Sequence, residues 1–286
     1  MKLINFISLA ERRKSYGLVT EKGIVDIGCR LAYQYADLKA VLAAEAVSSL
    51  QVFCDYPADY QSNEVCFLPV IDNPNKIFGV GMNYQEKRQE FDASSPAPTL
   101  FVRFPDSQTG HGDFVLKPEE SNELDYEGEL AIVIGKAGRN INQKEAMSYV
   151  AGYSCYMDGS VRDWQHSWFT AGKNWPKTGA FGPWLVTSDE LPDPHDLAIE
   201  TYLNGCKVQD ARTSGMIHKI PALIEYISTF SALSAGDVIL TGSPGGVGKK
   251  RTPPLFLQDG DTVEVYVEGI GTLRNAVRSA ETYANR

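Results

Sequence analysis

Residues 124–135 read LDYEGELAIVIG. Read as a strand, this stretch sends residues i and i+2 to the same face, so Asp125, Glu127 and Glu129 project together, with Glu127 and Glu129 ~7 Å apart. Carboxylates that close repel unless a proton or a cation lies between them. Oxygen-only ligands suit a hard divalent ion such as Mg²⁺ or Mn²⁺. A solvated acidic strand start is the plainer reading of E-x-E taken alone. The AIVIG that follows is wholly apolar, as a strand running into a core would be.

Two other stretches extend the argument. In GYSCYMDGSVRDWQ (152–165), Asp158 ends an aromatic-rich strand, and Arg162 and Gln165 follow at +4 and +7. That spacing brings all three to one side of a helical turn, where an arginine can clamp a carboxylate bidentately. A surface Asp–Arg pair, with Asp163 an equal partner, is the competing reading. In TGSPGGVG (241–248), directly after DVIL, a glycine-rich loop at a strand end offers N–H groups and hydroxyls to an anion. It has neither the order of a P-loop nor that of a dinucleotide fingerprint, and a plain turn competes with it.

The chain has 286 residues, 43% of them hydrophobic and 22% charged, enough for one large core or a large and a small domain. A formal net charge of −9 makes general binding to nucleic acid or anionic membrane unfavourable. No run approaches the ~18 apolar residues of a membrane span, and the N-terminus lacks a signal-peptide pattern, so a cytoplasmic location is expected. Five scattered cysteines, with no CxxC pair, read as reduced thiols. Residues 1–70 look like a small α/β unit, with strands in MKLINFIS and KSYGLVTEKGIVDIG and a helix over 36–50. Residues 71–286 form a second unit of short strands broken by Gly, Pro, Asp and Asn. It holds two clear helices, QKEAMSYV after an N-cap Asn142 and IPALIEYISTFS with Leu223, Ile227 and Phe230 at near-helical spacing. The fold class expected is mostly β with some α.

In this order, KIFGVGMNY, LDYEGELAIVIGK, GYSCYMDGSVRDWQ, GKNWPKTGAFGPWLVTSDEL and the long block LNGCKVQDARTSG…TGSPGGVG resemble the fumarylacetoacetate hydrolase family over residues 76–280. The resemblance implies a mixed β-sandwich roll with a small N-terminal domain, usually a homodimer, and one Mg²⁺ or Mn²⁺ per subunit. It places Glu127, Glu129 and Asp158 on the metal ligands. Arg162, Gln165, Tyr84, Gly242 and Ser243 fall on positions that contact a small anionic oxo acid, and Lys173 falls on the family's lysine. The implied chemistry is hydrolysis of a C–C bond in a 2,4-dioxo acid of acylpyruvate type, through an enolate leaving group that the ion stabilises.

One departure bears on that chemistry. Many small members carry a histidine, and a glutamate three residues on, as the water-activating pair; here NYQEKRQEF has Lys87 in the first place and Glu90 in the second. A lysine of ordinary pKa ~10.4 is no base at neutral pH. Glu86 or Glu90 could take the role, or His111 of TGHGDF could supply an imidazole from another loop. The chain could instead decarboxylate, isomerise or dehydrate a 2-oxo acid on the same metal, or bind one without catalysis. Pro176, Thr178 and Ala180 also differ from the family's common residues. His166 could line the pocket, whereas His195 and His218 read as loop or packed residues.

Overall fold

The computed structural model describes residues 1–281. Numbered along the chain, its main sheet holds β1 (Lys2–Ser8), β2 (Lys14–Thr20), β3 (Gly23–Asp26), β4 (Val65–Phe67), β5 (Ile77–Gly81), β6 (Thr99–Arg103), β7 (Gln108–Thr109), β10 (Gly128–Ile134), β11 (Val150–Asp158), β13 (Gly179–Thr187) and β16 (Val238–Leu240). Its order is β3-β2-β1-β13-β11-β10-β16-β5-β6, with β4 on β1 and β7 on β13. A second sheet runs β15 (Cys206–Arg212), β14 (Ala198–Leu203), β17 (Thr262–Val267), β18 (Gly271–Ser279), β8 (Phe114–Lys117). A short ribbon pairs β9 (Leu124–Asp125) with β12 (Ser160–Val161). Most pairs are antiparallel, and three (β5/β16, β7/β13, β8/β18) are parallel. The fold is therefore mostly β, a mixed-sheet roll, as expected.

β10 explains the wholly apolar run. Its two faces enter two different cores: Leu130, Ile132 and Ile134 pack with Val265 and Leu273 of the second sheet, and Ala131 and Val133 pack with Leu3, Leu18 and Leu42. A strand buried on both faces has no reason to alternate with polar residues. Gly128 permits a close approach of the two sheets. A Cβ there would lie 2.1 Å from Thr201 Oγ1 and 3.2 Å from Val265.

The N-terminal segment contains strands and the short helices α1 (Ile27–Leu31) and α2 (Leu38–Ala43). The boundary expected at residue 70 falls between β4 and β5, and the sheet is continuous across it, because β1 pairs with β13 at Leu3↔Leu185. The helix expected over 36–50 is shorter: Asp37 caps α2, and the chain turns at Glu45 (φ 51), a left-handed conformation that ends a helix. Asn142 caps α4 (Gln143–Ala146) as expected. In α6 (Ile220–Phe230) the buried stripe is Ile220, Leu223, Ile224 and Ile227; Phe230 is exposed and meets Phe78 edge-on. The remaining helices, α3 (Gln85–Phe91) and α5 (Thr170–Lys173), flank the acidic cluster described below.

We predict that Gly128→Ala lowers stability by about 1–3 kcal/mol, the usual cost of overpacking a filled interior. A urea denaturation midpoint unchanged from the parent would show that the sheets have slack at this point.

Candidate metal centre

The acidic cluster follows from strand register. β10 and β11 pair antiparallel with Glu129 opposite Tyr156, and Asp158 N–H donates to Glu127 O at 2.8 Å one step on. Residues directly opposite in an antiparallel pair share a face. Glu127, Glu129 and Asp158 therefore converge on the face turned away from the second sheet, and one oxygen from each lies within 4.8 Å of the others. All three are buried.

Cations surround the cluster. Lys173 Nζ bonds Asp158 Oδ2 and reaches Glu127 Oε2 at 3.2 Å. Lys87 Nζ donates to Glu127 Oε1 (3.0 Å) and Ser243 Oγ (2.8 Å). Arg162 Nη2 meets Glu127 Oε1 at 2.5 Å, and its Nε meets Asp125 Oδ2 at 2.8 Å. Arg103 Nη1 holds Asp158 Oδ1 at 2.7 Å. Asp125, Glu127 and Asp158 are thus each ion-paired with one or more of Lys87, Arg103, Arg162 and Lys173, and Glu129 has no ion pair among the described residues.

The balance is uneven within the cluster. Burial would push the Glu127 carboxyl up, but Lys173, Lys87 and Arg162 outweigh it and hold Glu127 well below the usual range. Glu129 goes the other way: burial, then the Asp158 and Glu127 charges, push it well above the usual range, against which Lys173 and the Gly242 N–H at 2.8 Å act too weakly to prevail. Burial also lowers Lys87, with Arg162 and Lys173 adding to it and Glu127 opposing. A carboxyl that cannot readily ionise beside two carboxylates lacks a cation. Three convergent, buried, oxygen-only donors fit a hard divalent ion. The donor set matches the implied metal.

The structure brings most of the expected residues together. Lys87, Glu127, Arg162, Lys173 and Ser243 line one small enclosed cavity of ≈ 20 Å³ with Val80, Met82, Phe101 and Phe169. Gln165 Oε1 accepts from Arg162 Nη1 (3.2 Å), and its buried Nε2 has no partner among the described residues, a donor available to a ligand oxygen. Gly242 (φ +98) has a conformation that suits glycine, and its N–H is already used by Glu129. Tyr84 is fully buried, near Glu129, and its hydroxyl has no partner among the described residues. Glu90 lies one turn after Lys87 on α3; its Oε1 accepts Gly246 N–H at 2.7 Å and its Oε2 is buried without a partner among the described residues.

His111 is not brought to the cavity. Its ring sits edge-on to Phe67 (5.5 Å), and its Nδ1 accepts Arg274 N–H at 3.1 Å. His166 is exposed, His195 pairs with Asp193, and His218 lies 3.4 Å from Arg88.

Two further charged residues of the cluster have no site role in the sequence analysis. Arg103 comes from β6, with no local motif to mark it. Asp125, which the strand spacing groups with Glu127 and Glu129, is a fully buried hub: it accepts Gly248 N–H (2.7 Å) and Lys249 N–H (3.1 Å) from the glycine-rich loop while holding Arg162. The loop's N–H groups thus serve the protein's own carboxylates.

The model of the fumarylacetoacetate (FAA) hydrolase C-terminal domain matches residues 76–278. The chain belongs to the fumarylacetoacetate hydrolase family. Its relatives include an oxaloacetate tautomerase, mitochondrial, of Xenopus laevis, 43% identical over 222 residues that cover 75% of this chain and 69% of that one. They also include the oxaloacetate tautomerase YisK of Bacillus subtilis, 41% identical over 225 residues (76% and 75%). Among solved structures, the fumarylacetoacetate hydrolase of Exiguobacterium antarcticum superposes with TM-score 0.86 at 33% identity, covering 98% of this chain and 99% of that one. The maleylpyruvate hydrolase of Sphingobium sp. SYK-6, in complex with manganese(II) and pyruvate, superposes with TM-score 0.82 at 25% identity, covering 98% and 99%. Relatives that are enzymes, one of them holding manganese, agree with the acidic triad in marking a divalent-metal site in this family member. No helix among the described residues is long and apolar enough to cross a membrane.

The raised Glu129 has a testable consequence. A carboxyl whose folded pKa lies above its unfolded one costs stability as pH climbs from the ordinary carboxylate range through the raised value. A divalent ion binds the deprotonated form and removes that cost. We predict that saturating Mg²⁺ or Mn²⁺, at about 100 times Kd, raises the melting temperature by roughly 5 °C or more. The gain should be larger at pH 8 than at pH 5.5 and absent in Glu129→Gln. An equal gain in Glu129→Gln would remove Glu129 from the ligand set.

Proposed function

We propose that this chain is a divalent-metal-dependent tautomerase that interconverts the keto and enol forms of a small 2-oxo dicarboxylic acid of oxaloacetate type. The observation that carries the reading is Lys87, buried at 3% exposure between Glu127 and Ser243, where a water-activating histidine would stand. The cavity is lined by two lysines and an arginine, and no imidazole reaches it. Such a lining suits a proton moved within one substrate better than attack by water. The relatives named as oxaloacetate tautomerases support this reading.

When bound, the divalent ion would polarise the 2-oxo group and stabilise the enolate. Arg162 and the free Gln165 Nε2 orient the carboxylate beside the oxo group. Lys173 Nζ, already bridging Glu127 and Asp158, adds positive charge on the side where the enolate oxygen develops. Lys87 Nζ carries the proton between C3 and that oxygen, and Ser243 Oγ holds the amine in place. A divalent ion together with Arg162 and Lys173 beside the cavity favours an anionic substrate. The small cavity favours a compact acid, because each added atom requires more of the lining to rotate aside.

A second reading, hydrolysis of a 2,4-dioxo acid, is favoured by Glu90, whose unpartnered Oε2 lies on the helix that carries Lys87. It requires Glu90 to give up Gly246 N–H and face a water.

The decisive assay follows decay of the oxaloacetate enol by ultraviolet absorbance. We expect acceleration that a chelator abolishes, and a fall in kcat of about 10²-fold or more in Lys87→Met and in Lys173→Met, as for loss of an acid–base group. Rapid cleavage of an acylpyruvate, lost in Glu90→Ala, would replace the tautomerase by the hydrolase.

A further inference from the structure

Phe91, at the end of α3, is half-buried and has three cations around its ring. Lys250 Nζ lies 4.5 Å from the centroid, Lys87 Nζ 5.7 Å and the Arg162 guanidinium carbon 5.8 Å. Lys87 and Arg162 are buried and line the cavity; Lys250 is exposed. Lys87 and Arg162 are held where they are by Glu127 and Asp125, whereas among the described residues the Lys250 ammonium has only the ring, a weak contact at an exposed site.

The neighbours of Lys250 sharpen the point. Of the consecutive cations Lys249, Lys250 and Arg251, the outer two are engaged. Lys249 Nζ is 3.6 Å from Glu123, and Arg251 binds Tyr126 Oη at 2.8 Å and Val208 O at 2.5 Å. The Lys250 ammonium makes no ion pair among the described residues. Glu90, on α3, accepts Gly246 N–H of the same loop and makes no ion pair with Lys250. Lys250 is held in position because the 3₁₀ turn Gly248–Lys250 follows directly from the glycine-rich loop, and Gly248 and Lys249 N–H are both anchored on buried Asp125. The same carboxylate that fixes Arg162 inside therefore fixes the backbone that carries Lys250 outside.

We infer that Lys250, seated on the same Phe91 ring that meets the cavity-lining Lys87 and Arg162, is a specificity-determining residue that receives the distal carboxylate of a dianionic 2-oxo acid. This rests on the 2-oxo dicarboxylic acid reading given above. The inner cations hold the 2-oxo acid end; the distal carboxylate points outward past Phe91, and Lys250 is the cation left free to meet it. Phe91 is a positioning residue: its ring sets where the ammonium stands and keeps it apart from Lys87 and Arg162.

The test compares two ligands that differ only at the distal end: oxaloacetate, and 2-oxobutyrate, which has a methyl group in place of the carboxylate. Binding to Mg²⁺-loaded full-length protein is measured by calorimetry, independently of turnover. We expect Lys250→Gln to weaken oxaloacetate about tenfold (about 1.4 kcal/mol) and to leave 2-oxobutyrate within twofold. Lys250→Arg should retain the preference. The Lys250→Gln effect should shrink between 0.05 M and 0.5 M salt, as expected for an exposed charge. Equal changes for both ligands, or none, would overturn the assignment. If the parent binds both ligands with the expected preference but does not accelerate tautomerisation, the proposed reaction fails and the role of Lys250 stands. If it accelerates tautomerisation and Lys250→Gln leaves the preference intact, only Lys250 fails.

Discussion

The antiparallel pairing of β10 with β11 is the constraint on which the rest of the site depends. It sets Glu127, Glu129 and Asp158 on one buried face with oxygens within 4.8 Å. Like charges at that distance in a low-dielectric interior repel strongly, so every neighbouring element supplies compensation: Lys87 from α3, Arg103 from β6, Arg162 from the turn after β12, Lys173 from α5. The elements around the acidic face are those that carry its counter-ions.

The compensation is asymmetric, and the asymmetry has chemical meaning. Glu127 takes three cations and stays ionised, while Glu129 takes a single backbone N–H and is pushed towards its neutral form. A purely structural ion cluster would gain nothing by leaving one carboxylate short, because an uncompensated buried charge is costly. A site built to receive a divalent ion needs that deficit. Asp125 links this inner layer to the glycine-rich loop, so the loop's geometry and the aim of Arg162 rest on one carboxylate.

Much of this was legible in the sequence because strand periodicity is local. The i, i+2 spacing of Glu127 and Glu129 and the apolar AIVI after them follow from chain geometry alone, and the strands of the second half were readable from their turn residues. Other features were not legible for a stated reason. α3 was hidden because QEKRQE has no apolar stripe to signal a helix. Phe230 has helical spacing, yet α6 turns its Ile220–Ile224 stripe inward instead. His111 adjoins the site in no sense that sequence distance could reveal, since it packs on Phe67 beside β18.

By itself, the sequence determined which residue types could hold a metal and which strand would carry them, because side-chain alternation and the chemistry of oxygen donors need only neighbouring residues. Only the tertiary structure decided how their charges are matched. Arg103 is 55 residues from Asp158, and Lys87 is 40 from Glu127. Such partners are chosen by sheet order and the packing of α3 over the triad. The strength of a buried charge depends on every group within a few ångströms, whatever its place in the chain, and no local pattern encodes that.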